Sequence, residues 1–335
     1  MRSTVCAVIL AASYTLRAED PASCQSGLDQ FQSGNYTAAQ RILSECVESH
    51  RGNATHALHL ALTYRSLKNY DAGLNRTKAA LQRFPKDVDL LYLAAWLHYR
   101  RNETKDSMLL LSKAYRLAPD DWRLHQLFAL NYISFDMLDT AKLSLQRAIA
   151  LNSRNAELYY QLGRLYYTLD RFQDSIDAMH SALAIVPDYP EVYDSLGLTY
   201  EALHDDERTV ENYAKAIEFD RKRGIRDEWP LINYGKFLIQ KQSPGESLPY
   251  LRQALQFNPS SPKANYQMGR ALRALGQDTE AEGFFEKAIQ SDPSFSSAYY
   301  QLAMLMRARG DDSRFTALIG QFKASLEKGK KAGTP

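Results

Sequence analysis

Apolar positions along most of this chain recur at helical rather than strand spacing. In residues 156–168, Tyr159, Leu162 and Tyr166 lie three and four apart and share one face of a helix. A short polar break follows, and a second helical pattern runs towards Pro187, which lacks the amide donor and clashes with the preceding turn. The same succession repeats elsewhere. Gly34-Asn35 and Gly276-Gln277-Asp278 are further breaks, where glycine tolerates the backbone angles of a tight turn. After the latter, the spacing predicts a helix from about Thr279 to Ser291.

The period of this succession is 34 residues. Pro85, Pro119, Pro187, Pro259 and Pro293 each close a block, and Ala80, Ala114, Ala182, Ala254 and Ala288 stand five residues before them. Ala148 and Ala216 fill the missing places, with Ser153 and Arg221 standing where proline would be. Nine blocks result: 20–53, 54–87, 88–121, 122–155, 156–189, 190–223, 228–261, 262–295 and 296–329. The phase breaks once, at residues 224–227 around Ile225, which divides the array into six blocks (20–223) and three (228–329). That insertion reads either as a longer linker or as a local bulge exposed for binding. The last hairpin is expected to be closed by the segment Phe315–Leu326, and the basic end, 330–335, to be a disordered tail.

Block five, AELYYQLGRLYYTLDRFQDSIDAMHSALAIVPDY, resembles the tetratricopeptide repeat through Tyr159, Leu162-Gly163, Tyr166, Ser175, Ala182 and Pro187. Block six repeats the resemblance with Tyr193, Leu196-Gly197, Tyr200, Tyr213 and Ala216, and block eight with Met268-Gly269, Gly276, Ala281, Phe285, Ala288 and Pro293. Block one keeps Gly27, Gly34, Tyr36, Ala39 and Cys46. The resemblance implies an all-α fold, an α-solenoid wound as a right-handed superhelix of about nine helix-turn-helix repeats. Small residues such as Gly163, Gly197, Gly235 and Gly269 let the two helices of a hairpin approach. Tyr132, Tyr166, Tyr200 and Phe285 then belong to the shared core, as does His98 at the matching position.

The resemblance also implies a concave face lined by the first helices, with positions 2, 5, 9, 12 and 13 of each block turned towards it. Those positions carry Leu62, Arg65, Tyr92, Trp96, Tyr99 and Arg100 in blocks two and three, and Glu157, Tyr160, Arg164 and Tyr167 in block five. Blocks seven to nine supply Trp229, Lys236, Tyr266, Arg270, Arg273, Tyr300 and Arg307, whereas block six supplies Glu191, Asp194 and Glu201. Aromatic rings interleaved with arginine suit a protein or peptide ligand, because they bury area at low entropic cost and pair with carboxylates or carbonyls. The alternative is that these rings pack between neighbouring first helices. The Asn-based clamp of chaperone adaptors in this family has no counterpart at the ninth positions, and Asn233 stands at a sixth.

Composition narrows the function by exclusion. The chain has 335 residues, with 41 Lys plus Arg against 39 Asp plus Glu, so charge supplies no global case for nucleic acid. Residues 1–18, MRSTVCAVILAASYTLRA, have the layout of a secretory signal peptide cut after Ala18, with a periplasmic or secreted product; a cytoplasmic protein with a frayed N-terminal helix is the alternative. The apolar run is too short for an integral span. Beyond the cut, Cys24 and Cys46 fall on the two helices of one hairpin, compatible with a disulfide or with two buried thiols. Asn35, Asn53, Asn75 and Asn102 head Asn-x-Thr triplets, glycan acceptors only in a host that reads them. His56 and His59 are a helical pair without further metal ligands, and no catalytic or cofactor motif emerges. The expectation is therefore a non-enzymatic scaffold, without metal or cofactor, that holds another protein or peptide segment in an envelope or secretion-related assembly. A glycan-handling or enzyme accessory subunit and a structural, self-assembling spacer are the competing classes.

Overall fold

The computed structural model describes residues 22–49 and 53–332, and side chains within 24–327; the signal-like residues 1–18, with Cys6, lie outside the described residues. Two compact units are present, the first ending at Leu158 and the second beginning at Tyr159. Among the described residues every regular element is an α-helix.

In the first unit α1 (Ala22–Gln32) pairs with α2 (Tyr36–Glu48), α3 (Ala54–Ser66) with α4 (Tyr70–Arg83), α5 (Val88–Arg100) with α6 (Thr104–Leu117), and α7 (Trp122–Ser134) with α8 (Leu138–Leu151). Each second helix also packs on the next first helix, and α1, α3, α5 and α7 adjoin in sequence, which is solenoid stacking. The second unit holds α9 (Ala156–Thr168) from Tyr159 on, α10 (Phe172–Ile185), α11 (Pro190–Ala202), α12 (Asp206–Lys222), α13 (Trp229–Gln240), α14 (Pro244–Phe257), α15 (Pro262–Ala274), α16 (Asp278–Ser291), α17 (Ser296–Ala308) and α18 (Asp312–Ala332). Within it α11 adjoins α13, and α13 adjoins α15, in the same manner.

The core explains the period residue by residue. Position eight of the blocks carries Gly27, Ala61, Ala95, Ala129, Gly163, Gly197, Gly235, Gly269 and Ala303. The residue sixteen further on packs against it; leucine faces glycine in some blocks and alanine in others, and the two aromatic rings at that place both face glycine. A Cβ on Gly197 would lie 2.6 Å from the Tyr213 ring, and one on Gly269 would lie 2.7 Å from Phe285. Where alanine is used, the facing residue is smaller than an aromatic ring, as with Ala95 against Leu111 and Ala129 against Leu145. Tyr166, Tyr200 and Phe285 are buried as expected, and so is His98, whose Nδ1 lies 2.6 Å from Glu103.

Position fifteen ends each first helix with a left-handed residue. Glycine occupies it at Gly34, Gly276 and Gly310, but Lys68, Asn102, Asp136, Asp170, His204 and Gln242 adopt the same positive φ, between 55° and 60°. A Cβ in that region costs about 1–2 kcal/mol. Replacing His204 by glycine is therefore expected to stabilise the second unit by about 1 kcal/mol, since the strain it relieves outweighs the unfolded-state entropy it adds. Urea titration of the single variant checks this.

Two expectations need adjusting. Residues 224–227 lie in a connection between α12 and α13, as the linker reading expects, but α12 also lengthens before them: it has 17 residues where α2, α10 and α16 have 13 or 14. Arg221 replaces the proline that would end it, so nothing forbids a further turn. The turn closes at Gly224 (φ 65°), with the Ile225 amide donating to the Asp220 carbonyl at 2.8 Å. Secondly, α18 runs on past Leu326 to Ala332, so residues 330–332, expected in a disordered tail, are helical, and 333–335 lie outside the described residues. Lysines near a helix C-terminus favour that continuation.

The four Asn-x-Thr triplets coincide with ordinary helix chemistry. Asn35 and Asn53 cap α2 and α3 through the amides of Ala38 and His56; Asn75 lies within α4; Asn102 is one of the left-handed turn residues.

Candidate functional site

In the first unit, Trp96 on α5 is partly buried against the core of repeats two and three. The guanidinium of Arg65, from α3, lies 5.3 Å from its ring centroid, and that of Arg100 lies 5.4 Å away. Tyr70 completes the cluster, edge-on to Trp96 at 5.9 Å and 5.5 Å from Arg100, whose Nη2 reaches the Tyr70 hydroxyl at 3.5 Å. Three of the predicted groove residues thus converge: Arg65, Trp96 and Arg100. Arg65 closes no ion pair with a carboxylate among the described residues, and burial lowers its pKa from the ordinary value. A partly desolvated cation held on an indole is a ready partner for an incoming anion.

The other predicted residues of this unit are more internal. Tyr92 and Tyr99 are partly buried against the core of α5 to α7, and Leu62, expected to face the groove, is buried. Tyr92 is covered by Arg123, whose guanidinium lies 5.3 Å from the ring and bridges Asp89 at 2.7 Å and Asp121 at 2.5 Å. Arg123 belongs to α7 and lies at position two of its block. Sequence reasoning passed over it, although an Arg at position two, facing an Asp at position two of the preceding block and following the Asp that closes that block, was a usable signal.

The second unit satisfies most of its predicted cations internally. Lys236 bridges Glu201 at 2.9 Å, and the same carboxylate accepts the Tyr213 hydroxyl at 2.8 Å. Asn233 donates to both oxygens of Asp194, at 3.0 and 2.9 Å. Burial pushes the Asp194 carboxyl up to about 7, against the pull of that amide. One acid of block six is thus neutralised by a lysine of block seven, and a second is held by an uncharged amide. Arg164 lies over Tyr160 (5.7 Å) and Arg270 over Tyr266 (5.8 Å), while Arg273 donates to the Gln301 side chain at 2.9 Å. Arg307 covers Phe315, Tyr300 rests on Phe322, Tyr167 on Phe172, and Trp229 lies under Lys263. Much of the predicted stripe is thus engaged in packing between neighbouring helices, and Lys236, Arg270 and Arg273 also have polar partners.

At the other end of the first unit, Cys24 on α1 and Cys46 on α2 form a disulfide with a Cα–Cα separation of 5.4 Å. His56 lies close by and closes a capping box with Asn53; His59 turns its Nδ1 to the Thr55 carbonyl at 2.8 Å and its ring to Phe31. The two histidines are occupied separately rather than as a ligand pair.

Family comparison then decides the architecture. Tetratricopeptide repeat models match residues 24–75, 60–121, 136–190 and 238–305. The chain belongs to the tetratricopeptide repeat family. Its repeats imply a protein–protein interaction scaffold. Bovine (Bos taurus) BBSome complex member BBS4 is 22% identical over 187 residues, which is 56% of this chain but 36% of that protein, so the match spans about a third of the relative's length. The crystal structure of the anaphase-promoting complex hetero-tetramer Cut9-Hcn1 has a TM-score of 0.62 at 13% identity, covering 92% of this chain and 61% of that one. It shows the same fold. The crystal structure of MamA is 25% identical over 49% of this chain and 96% of its own, with a TM-score of 0.44. Among the described residues no helix is long and apolar enough to cross a membrane.

Proposed function

We propose that this tetratricopeptide repeat protein is a non-enzymatic scaffold that holds an acidic segment of another protein on the first-helix face of its first unit. The observation that carries the reading is the Arg65–Trp96–Arg100 cluster, in which a partly buried guanidinium lies on an indole without a carboxylate of its own. A ligand carboxylate at that point gains a charge-assisted hydrogen bond, and the neighbouring ring supplies apolar area. Pairing Lys236 with Glu201 removes one rival cation in the second unit. Export after cleavage at Ala18, and work in an envelope or secretion-related assembly, complete the proposal. The Cys24–Cys46 bond supports an oxidising compartment.

The test is crosslinked capture from the native compartment, followed by direct titration of the captured partner's acidic segment against purified protein. The variant Arg65→Gln, Arg100→Gln is expected to bind about tenfold more weakly and to lose part of the salt dependence, with its melting curve unchanged. Equal affinity in both proteins would remove the cluster from the binding surface.

A further inference from the structure

The extra turn of α12 opens a cavity of about 310 Å³ within the second unit, between α12, the 223–228 connection and α13–α14. Ile217, Leu231 and Phe257 line it with hydrocarbon. Asp220 also lines it, and here the site departs from an ordinary packing defect. Asp220 is 7% exposed, yet its carboxylate accepts no hydrogen bond and closes no ion pair among the described residues. Buried carboxylates without a donor are costly and rare. In repeats that end on schedule this position is a helix cap, as at Ala118 and Asn258. In this repeat it is carried into the helix and turned on the cavity. A void that was simply empty would be apolar throughout.

The charges around Asp220 are mainly negative. Glu191 and Asp194 face it from α11 and Asp227 from the connection, while Arg223 opposes them. Arg223, however, is engaged with Asp188 at 2.8 Å. Asp227 accepts the Trp229 amide at 3.1 Å, and Glu228, at the start of α13, takes the Asn258 amide at 3.2 Å. At the margin Arg221 and Arg226 are exposed, the latter lying over Phe257 at 5.4 Å. α14 adds the uncharged Gln253. The cavity therefore combines a buried acid lacking a donor, Asp227 beside it, apolar walls that include the Phe257 ring, and two exposed arginines, Arg221 and Arg226, at its margin.

We infer that this cavity is a binding site for an alkyl cation, an ammonium or guanidinium group on a short hydrocarbon stem, with the cation on Asp220 and the stem against Ile217 and Leu231. Its volume suits such a group. The source is either a Lys or Arg side chain of a partner segment or a free alkylamine. Burial, reinforced by Asp227, Glu191 and Asp194 and opposed by Arg223, pushes the Asp220 carboxyl up to about 7. The ligand must displace that proton, so binding strengthens as pH rises. Between pH 6 and 8 the ionised fraction, and with it the affinity, increases about tenfold.

The experiment titrates the full chain with n-butylammonium, n-butylguanidinium, n-butanol and a capped Gly-Lys-Gly peptide, following binding by NMR. Expected are saturable binding of the cations, at least tenfold weaker binding of n-butanol, and at least tenfold loss in Asp220→Asn. In the unsubstituted protein the Asp220 carboxyl ¹³C titration midpoint is expected to fall by about one unit on saturation, a readout independent of the variant's folding. A preference for the peptide assigns the source to a partner chain, and equal or better binding of the free cations assigns it to a small amine. Equal binding of n-butanol, unchanged affinity in Asp220→Asn, or binding seen only after Arg226→Ala, as when the chain's own arginine fills the site, would each overturn the inference.

Discussion

Gly197→Leu is expected to cost the second unit about 3 kcal/mol, read as a lower urea midpoint at unchanged slope. The cause is overpacking. The first added atom would already lie 2.6 Å from Cδ1 of Tyr213, a ring with no solvent exposure. Tyr213 is also held at its far end, because its hydroxyl donates to Glu201, which in turn holds Lys236. Moving the ring breaks a partly buried hydrogen bond as well as a packing contact. Leucine's better helix propensity returns up to about 1 kcal/mol and does not change the sign. Gly283, also within a helix but with open space around its Cα, supplies the control: Gly283→Ala is expected to stabilise by about 1 kcal/mol. If Gly197→Leu melted like the parent, the account of position eight would be wrong.

Removing the disulfide is the second large effect. Cys24 and Cys46 are 22 residues apart, and releasing a loop of that size costs about 3 kcal/mol in the chain-entropy description. The consequence is local. The α1–α2 hairpin has a neighbouring repeat on one side only among the described residues, with Leu28, Leu43 and Leu60 as its main apolar contacts. Cys24→Ser with Cys46→Ser is therefore expected to strip amide protection from α1 and α2 while α5 to α8 keep theirs. Hydrogen exchange followed by mass spectrometry reads this directly. Uniform loss across the first unit would mean that it unfolds as one block.

Repeat architecture was legible because stacking forces similar steric demands at each 34-residue step: a small residue at position eight, a larger partner sixteen later (apolar in every block but the second, where it is Thr77), a turn at fifteen. Proline was a less complete guide. Ser153 stands in its place in block four, and α8 still ends at Leu151; Arg221 stands in its place in block six, and α12 continues. The candidate site was legible only as a stripe. Its positions were predicted one helix at a time, whereas pairing depends on adjacent repeats: Lys236 reaches back to Glu201, Arg273 forward to Gln301, and Arg123 covers Tyr92. Arg65, Trp96 and Arg100 stand apart because no carboxylate of a neighbouring repeat reaches Arg65. Asp220 was invisible for a different reason, since its burial comes from a helix longer than the repeat prescribes.

That longer helix bears on how such arrays change. The three residues that α12 gains turn through about 300° and lie beyond the point where the other second helices end, so the buried face before them keeps its register. The chain leaves its hairpin about 4–5 Å further along the axis, and the space so opened is the cavity beside Asp220. One short duplication or deletion at 221–224 could thus add or erase a ligand pocket while every other repeat keeps its steric code, a route to novelty that point substitution in the packed core does not offer.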